Sequence, residues 1–149
     1  MSKTEANLWE AFAGESQANR KYLAFAKQAD KEGHPQAAKL FRAAAHAETI
    51  HAHAHLRALK AVGDTRANLA EAVAGETHEF KSMYPPMIEI AKEEGNKAAA
   101  MSFSYANTVE KTHAELYQKA LDNLDHLPAT DYYVCEVCGA NSRAFVKID

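Results

Sequence analysis

Two pairs of residues in this chain have the types and spacing to hold a metal: Glu48 with His51, and Glu110 with His113. On a helix, residues three apart share a face, so each pair aims a carboxylate and an imidazole at the same point. Each pair has an acid upstream, Glu15 for the first and Glu76 for the second. Mixed carboxylate and imidazole shells suit iron, manganese or zinc, and an iron–sulfur cluster would need cysteines, which the helical patterns lack. One Glu-x-x-His is a weak signal. Two copies, each with its partner acid at an equivalent place in a repeat, make a strong one.

That repeat defines the elements that position the acids. TEANLWEAFAGES from Thr4 matches TRANLAEAVAGET from Thr65 at nine of 13 positions. At an offset of 62, the segment from Glu32 aligns with the segment from Glu94, which places Glu48 on Glu110 and His51 on His113. A repeat of this length with two helical patterns implies a helical hairpin used twice. Asn7 with Glu10, and Asn68 with Glu71, have the capping-box form and mark two helix starts. Gly33 and Gly95 suit helix ends, Gly63 closes the second helix, and Pro35 suits a first turn. Helices are expected near 8–32, 35–62, 69–94 and 97–125, assembled as an all-α four-helix bundle.

Each helix carries an apolar stripe, such as Leu8, Phe12, Tyr22 and Ala29 on the first. Glu15 and Glu76 interrupt equivalent stripes, and both Glu-x-x-His pairs lie on stripes as well. A buried carboxylate costs several kcal/mol or more unless it is paired, and no lysine or arginine occupies a matching stripe position. Two divalent cations would provide the missing charge. One Glu plus one Glu-x-x-His, taken twice, is the arrangement by which ferritin-like bundles hold two irons. Charged surface patches with coincidental spacing are the bland alternative.

The repeat is broken once. Gly14 to Tyr22 spans nine residues, whereas Gly75 to Tyr84 spans ten. A one-residue insertion in a helix produces a π-bulge, and Pro85-Pro86 just beyond it fits a disturbed turn. Within the insertion lies Glu79, three after Glu76, where the first half has Ala18. It is either a spare ligand or a surface acid.

Composition narrows the class. The chain has 149 residues, 47% hydrophobic and 25% charged, with ten glycines and prolines in total. This suits one helical unit plus a tail. A formal charge of −3 gives no strong hold on nucleic acid or anionic lipid. No basic stretch leads into an apolar run at the amino terminus and no apolar segment is long enough to span a bilayer, so a soluble, cytoplasmic protein is expected.

The segments FAGES, AETIH, GETHEFKSMYPP, AKEEG and VEKTH together resemble the rubrerythrin family over about residues 4–126. The resemblance implies a non-haem di-iron centre that reduces hydrogen peroxide to water in oxidative-stress defence. Glu48 and Glu110 would bridge the metals, Glu15 would be a terminal ligand of the first iron, and Glu76 with His113 would serve the second. Glu79 and His51 would alternate on the first iron with redox state. That alternation has a physical rationale, since oxidation adds two positive charges that anionic Glu79 compensates and neutral His51 does not. Tyr22 and Tyr84 are candidate proton relays, or else orient ligands or fill core.

The tail departs from the family pattern. Rubrerythrins usually end in a rubredoxin-like domain with two Cys-x-x-Cys knuckles, whereas YYVCEVCGANSRAFVKID has the single pair Cys135 and Cys138. Two thiolates cannot fill a tetrahedral four-cysteine site. Three readings stay open: a vestigial tail, a site completed by a second chain, or a redox dithiol. The domains are expected at 1–127 for the bundle and 128–149 for the tail. Electrons would come from an external donor such as a rubredoxin-like or flavin protein. A metal-binding or iron-oxidising protein without peroxide turnover is the alternative function. His51 and His55 also stand four apart near His46 and His53, but His55 aligns with Tyr117 and reads as core or as an orienting residue.

A distance argument bears on assembly. In a ferritin-like bundle the second and third helices need a long crossover. The second runs about 21 Å beyond Glu48 and the third starts about 10 Å before Glu76 in the other direction. Seven steps from Val62 to Leu69 reach about 24 Å against a gap of about 30 Å. Exchange of hairpins between two chains of a homodimer is therefore expected.

Overall fold

The computed structural model describes residues 1–141 and 146–148; the tail residues 142–145 and 149 lie outside the described residues. The chain divides into two compact units, Met1–Gly63 and Asp64–Asp149. Each is built on one of the repeated hairpins.

In the first unit, α1 (Lys3–Lys31) and α2 (Pro35–Leu59) pack side by side. The start of α1 differs from expectation. Ser2 accepts from the Glu5 N–H at 3.2 Å and Glu5 reaches back to the Ser2 N–H, so the capping box is Ser2–Glu5 and Asn7 lies inside the helix. Gly33, at φ +79°, ends α1 in the left-handed conformation, and His34 N–H closes on the Ala29 carbonyl at 2.8 Å. Pro35 opens α2 as expected. The helices meet through Ala26, Ala29, Ala38, Ala45 and Ala52, small side chains that allow close approach. Asn19 fixes the register, donating from Nδ2 to the Ala45 carbonyl at 2.6 Å and to Thr49 Oγ1 at 2.8 Å. The end of α2 is a correction as well: Lys60, at φ +54°, takes the left-handed cap in place of Gly63.

In the second unit, α3 (Thr65–His78), a π-helical turn (Glu79–Met83) and α4 (Tyr84–Glu93) form one interrupted helix. It lies along α5 (Lys97–Asp122). Asp64, rather than Asn68, caps α3, accepting from the Ala67 N–H at 2.8 Å. The ten-residue spacing of Gly75 to Tyr84 appears as the π turn, in which Tyr84 N–H bonds the Glu79 carbonyl five residues back. Pro85 and Pro86 follow at the start of α4, where they withhold two amide donors from the turn before them. Gly95, at φ +68°, ends α4, and Asn96 caps α5 through the Ala99 N–H at 3.1 Å.

Beyond α5 and a short 3-10 turn (Leu124–His126), β1 (Tyr132–Val134) pairs antiparallel with β2 (Val146–Ile148), Tyr132 opposite Ile148. Between them, Cys135 to Ala140 forms a tight turn: Cys135 N–H bonds the Ala140 carbonyl and Gly139 N–H the Cys135 carbonyl, both at 2.9 Å.

Neither hairpin buries its large apolar side chains. The buried hydrophobic residues of the described chain are seven alanines and Val109, whereas Phe25 is 46% and Leu40 69% exposed. No helix of the described residues is long and apolar enough to cross a membrane.

Candidate metal centre

Two clusters of ligand-type side chains emerge, one in each unit. In the first, Glu15 of α1 meets Glu48 and His51 of α2; in the second, Glu76 of α3 meets Glu110 and His113 of α5. Within each cluster one ligand atom per residue lies within 4.8 Å of the others. His51 Nδ1 is 2.8 Å from Glu48 Oε2, and His113 Nδ1 is 2.8 Å from Glu110 Oε2, the same i,i+3 geometry twice. Glu76 Oε1 is 3.6 Å from His113 Nδ1.

The clusters differ in support. The His51 side chain is 55% exposed, while His113 is 29% exposed and has a second partner. His113 Nε2 lies 2.7 Å from Asn141 Oδ1, in the turn after Cys138. With its proton on Nε2 the ring donates to Asn141 and leaves the Nδ1 lone pair facing Glu76 and Glu110, the tautomer a metal ligand needs. Sequence reasoning missed Asn141, because a contact 28 residues away from a tail has no periodicity to betray it.

The electrostatics call for a cation. Burial, and then repulsion by Glu110, push the Glu76 carboxyl up to about 6. Among the described residues, no ion pair joins lysine or arginine to Glu15, Glu48, Glu76, Glu79 or Glu110. Hard oxygen donors with imidazole, crowded and short of positive charge, fit iron.

Glu79 lies on the π turn outside both three-residue clusters, and its charge acts on Glu76 and on Tyr84. The Tyr84 phenol is raised by burial and then by Glu79, Glu110 and Glu76, so it holds its proton beside three carboxylates. Tyr22 lies in a ring cluster, its centroid 6.2 Å from both Phe25 and Phe41, and Tyr84 makes the matching contact with Phe103, also at 6.2 Å. His46 and His53 are exposed and His55 is half-buried.

A helical-hairpin repeat that presents Glu and Glu-x-x-His twice defines a ferritin-like carboxylate–histidine metalloprotein. The comparisons narrow the class. The Rubrerythrin family model matches residues 6–121, and the chain belongs to the rubrerythrin family. It is 36% identical to Rubrerythrin-2 of Clostridium acetobutylicum over 146 residues, covering 87% of this chain and 79% of that one. It is 35% identical to Nigerythrin of Nitratidesulfovibrio vulgaris, covering 93% and 76%. Among solved structures it is similar to the fully reduced, all-ferrous state of nigerythrin, with a TM-score of 0.54 and 33% identity over 100% of this chain and 79% of that one.

Proposed function

We propose that this chain is a cytoplasmic, non-haem di-iron peroxidase that reduces hydrogen peroxide to water in oxidative-stress defence, with electrons from an external donor such as a rubredoxin-like or flavin protein. The observation that carries this is Glu79 on a π turn beside the Glu76, Glu110 and His113 cluster, a spare carboxylate absent from the other half of the repeat. Similarity to an all-ferrous nigerythrin supports iron as the metal.

Two ferrous ions, when bound, supply the two electrons that split peroxide without releasing a radical. The protein's part is to hold them and to manage charge and protons. Glu48 and Glu110 would hold both metals, with Glu15 on one side and Glu76 and His113 on the other. His51, exposed and with no second hydrogen bond among the described residues, is the ring able to leave. His113, braced by Asn141, stays. Anionic Glu79 would be the carboxylate available to take the place of neutral His51 once the bound metals carry more positive charge. Tyr84, a phenol kept protonated beside Glu79, is positioned to pass a proton; Tyr22 holds the equivalent place in the first hairpin.

The bundle occupies residues 1–127 and the tail 128–149. The exposed apolar faces of both hairpins need a partner hairpin, and the connection limits where it comes from. If one chain closed a ferritin-like bundle by itself, helices ending at Leu59 and starting at Thr65 would need a connection of about 33 Å, while six extended steps reach about 20 Å. The hairpins therefore exchange between two chains of a homodimer, each centre taking Glu15, Glu48 and His51 from one and Glu76, Glu79, Glu110 and His113 from the other.

Glu79→Ala tests the reading. The variant is expected to load iron to the wild-type stoichiometry but to be oxidised by peroxide at least tenfold more slowly, whereas Glu110→Ala, losing a bridge, should lose most of its iron. Equal and complete loss of iron from both would refute the redox-specific role of Glu79. The single cysteine pair favours a second reading, an iron-oxidising or metal-binding protein without peroxide turnover, which expects faster oxidation by dioxygen than by peroxide.

A further inference from the structure

The tail packs against the metal-ligand face of α5. Gly139, at φ +79°, has room for a Cβ that would sit 4.0 Å from Val109 Cγ1, and Asn141 bonds His113. Glu110, His113, Val109, Val137, Cys138 and Gly139 line one cavity of about 290 Å³. That volume admits several water-sized molecules. A cysteine therefore opens onto the same space as two proposed iron ligands.

The turn prepares the two thiols for each other. Both are free and half-buried. The Val137 N–H points at Cys135 Sγ at 3.4 Å, and the Gly139 N–H bonds the Cys135 carbonyl at 2.9 Å, which folds the two cysteines onto one tight turn. The backbone N–H of Cys138, then that of Val137, holds the Cys135 thiol below its ordinary range, which favours the thiolate that begins disulfide chemistry. No third cysteine, histidine or acid joins them in a metal-binding cluster among the described residues.

We propose that Cys135 and Cys138 are a built-in two-electron donor to the metal centre, closing to a disulfide as peroxide is consumed. The inference rests on the peroxidase reading and names its immediate reductant. The balance is complete. Each sulfur gives up one electron, one S–S bond forms, and the two thiol protons match those that peroxide needs to leave as two waters. The external donor then has only a disulfide to reopen, a two-electron task that fits a flavin protein carrying a redox-active dithiol better than a one-electron rubredoxin-like donor.

The test is an anaerobic peroxide titration of the reduced, iron-loaded protein after excess reductant is removed. Wild type is expected to consume two equivalents per pair of irons, one at the expense of the irons and one of the thiols, with the mass falling by two hydrogens and neither cysteine alkylatable. Cys135→Ser with Cys138→Ser is expected to load iron fully and consume one equivalent. Metal-free protein should form the disulfide at least tenfold more slowly. Wild type that consumes one equivalent and keeps both thiols reduced would overturn the proposal while sparing the peroxidase reading. Equally fast disulfide formation without metal would overturn it too. Failure of peroxide to oxidise the irons at all would remove both.

Discussion

His51 and His113 hold equivalent places in the repeat, yet among the described residues only His113 has its second nitrogen engaged, by Asn141 at 2.7 Å. That difference makes Asn141→Ala informative: loss of an outer hydrogen bond on a ligating histidine lowers metal affinity about 10–100-fold. Asn141→Asp should restore most of it, and a ferrous titration of the three proteins checks this. Glu76 gives a pH dependence. Its folded-state pKa of about 6 exceeds the ordinary 4.5, because of burial and the facing charges of Glu110 and Glu79, partly offset by His113. The folded, metal-free state thus binds more protons than the unfolded one in that window, so this group's contribution to stability falls as pH rises from about 4.5 to 6. Thermal melts of metal-free protein across that range should show the slope, and Glu76→Gln should flatten it. Metal uptake runs the opposite way, strengthening as the proton leaves.

At the scale of elements, the insertion between Gly75 and Tyr84 was readable as a π turn because an extra residue in a helix has few other places to go. Gly33 and Gly95 were readable because a left-handed cap favours glycine. The helix starts were less so. Asn7-x-x-Glu10 and Ser2-x-x-Glu5 both have capping-box form, and the backbone chose the earlier pair, since helix propagates toward any competent cap. Lys60 in the left-handed region has no sequence signal at all. The assignment predicts stabilities. Asp64→Ala removes the Ala67 N–H partner and should cost about 1 kcal/mol, seen as a lower denaturant midpoint with an unchanged slope. Asn7→Ala, inside a helix, should move the midpoint by no more than about 0.5 kcal/mol in free energy.

At the scale of the whole molecule, each hairpin carries one three-residue cluster with excess negative charge and an apolar face without large buried side chains. The donor sets were legible in the sequence because the repeat displays them twice, whereas the bracing of His113 by the tail depends on long-range packing that leaves no periodic trace. Exchange predicts a complementation. When unfolded Glu48→Ala and Glu110→Ala chains are mixed and refolded, one centre of an exchanged heterodimer collects both changes and the other is intact, so di-iron activity should return. No recovery in proven heterodimers would reject exchange. The most direct test of the peroxidase account is a stopped-flow comparison of the reduced, iron-loaded protein mixed with hydrogen peroxide and with dioxygen at equal concentration. The account predicts that peroxide oxidises the irons at least tenfold faster; oxidation much faster with dioxygen than with peroxide would contradict it.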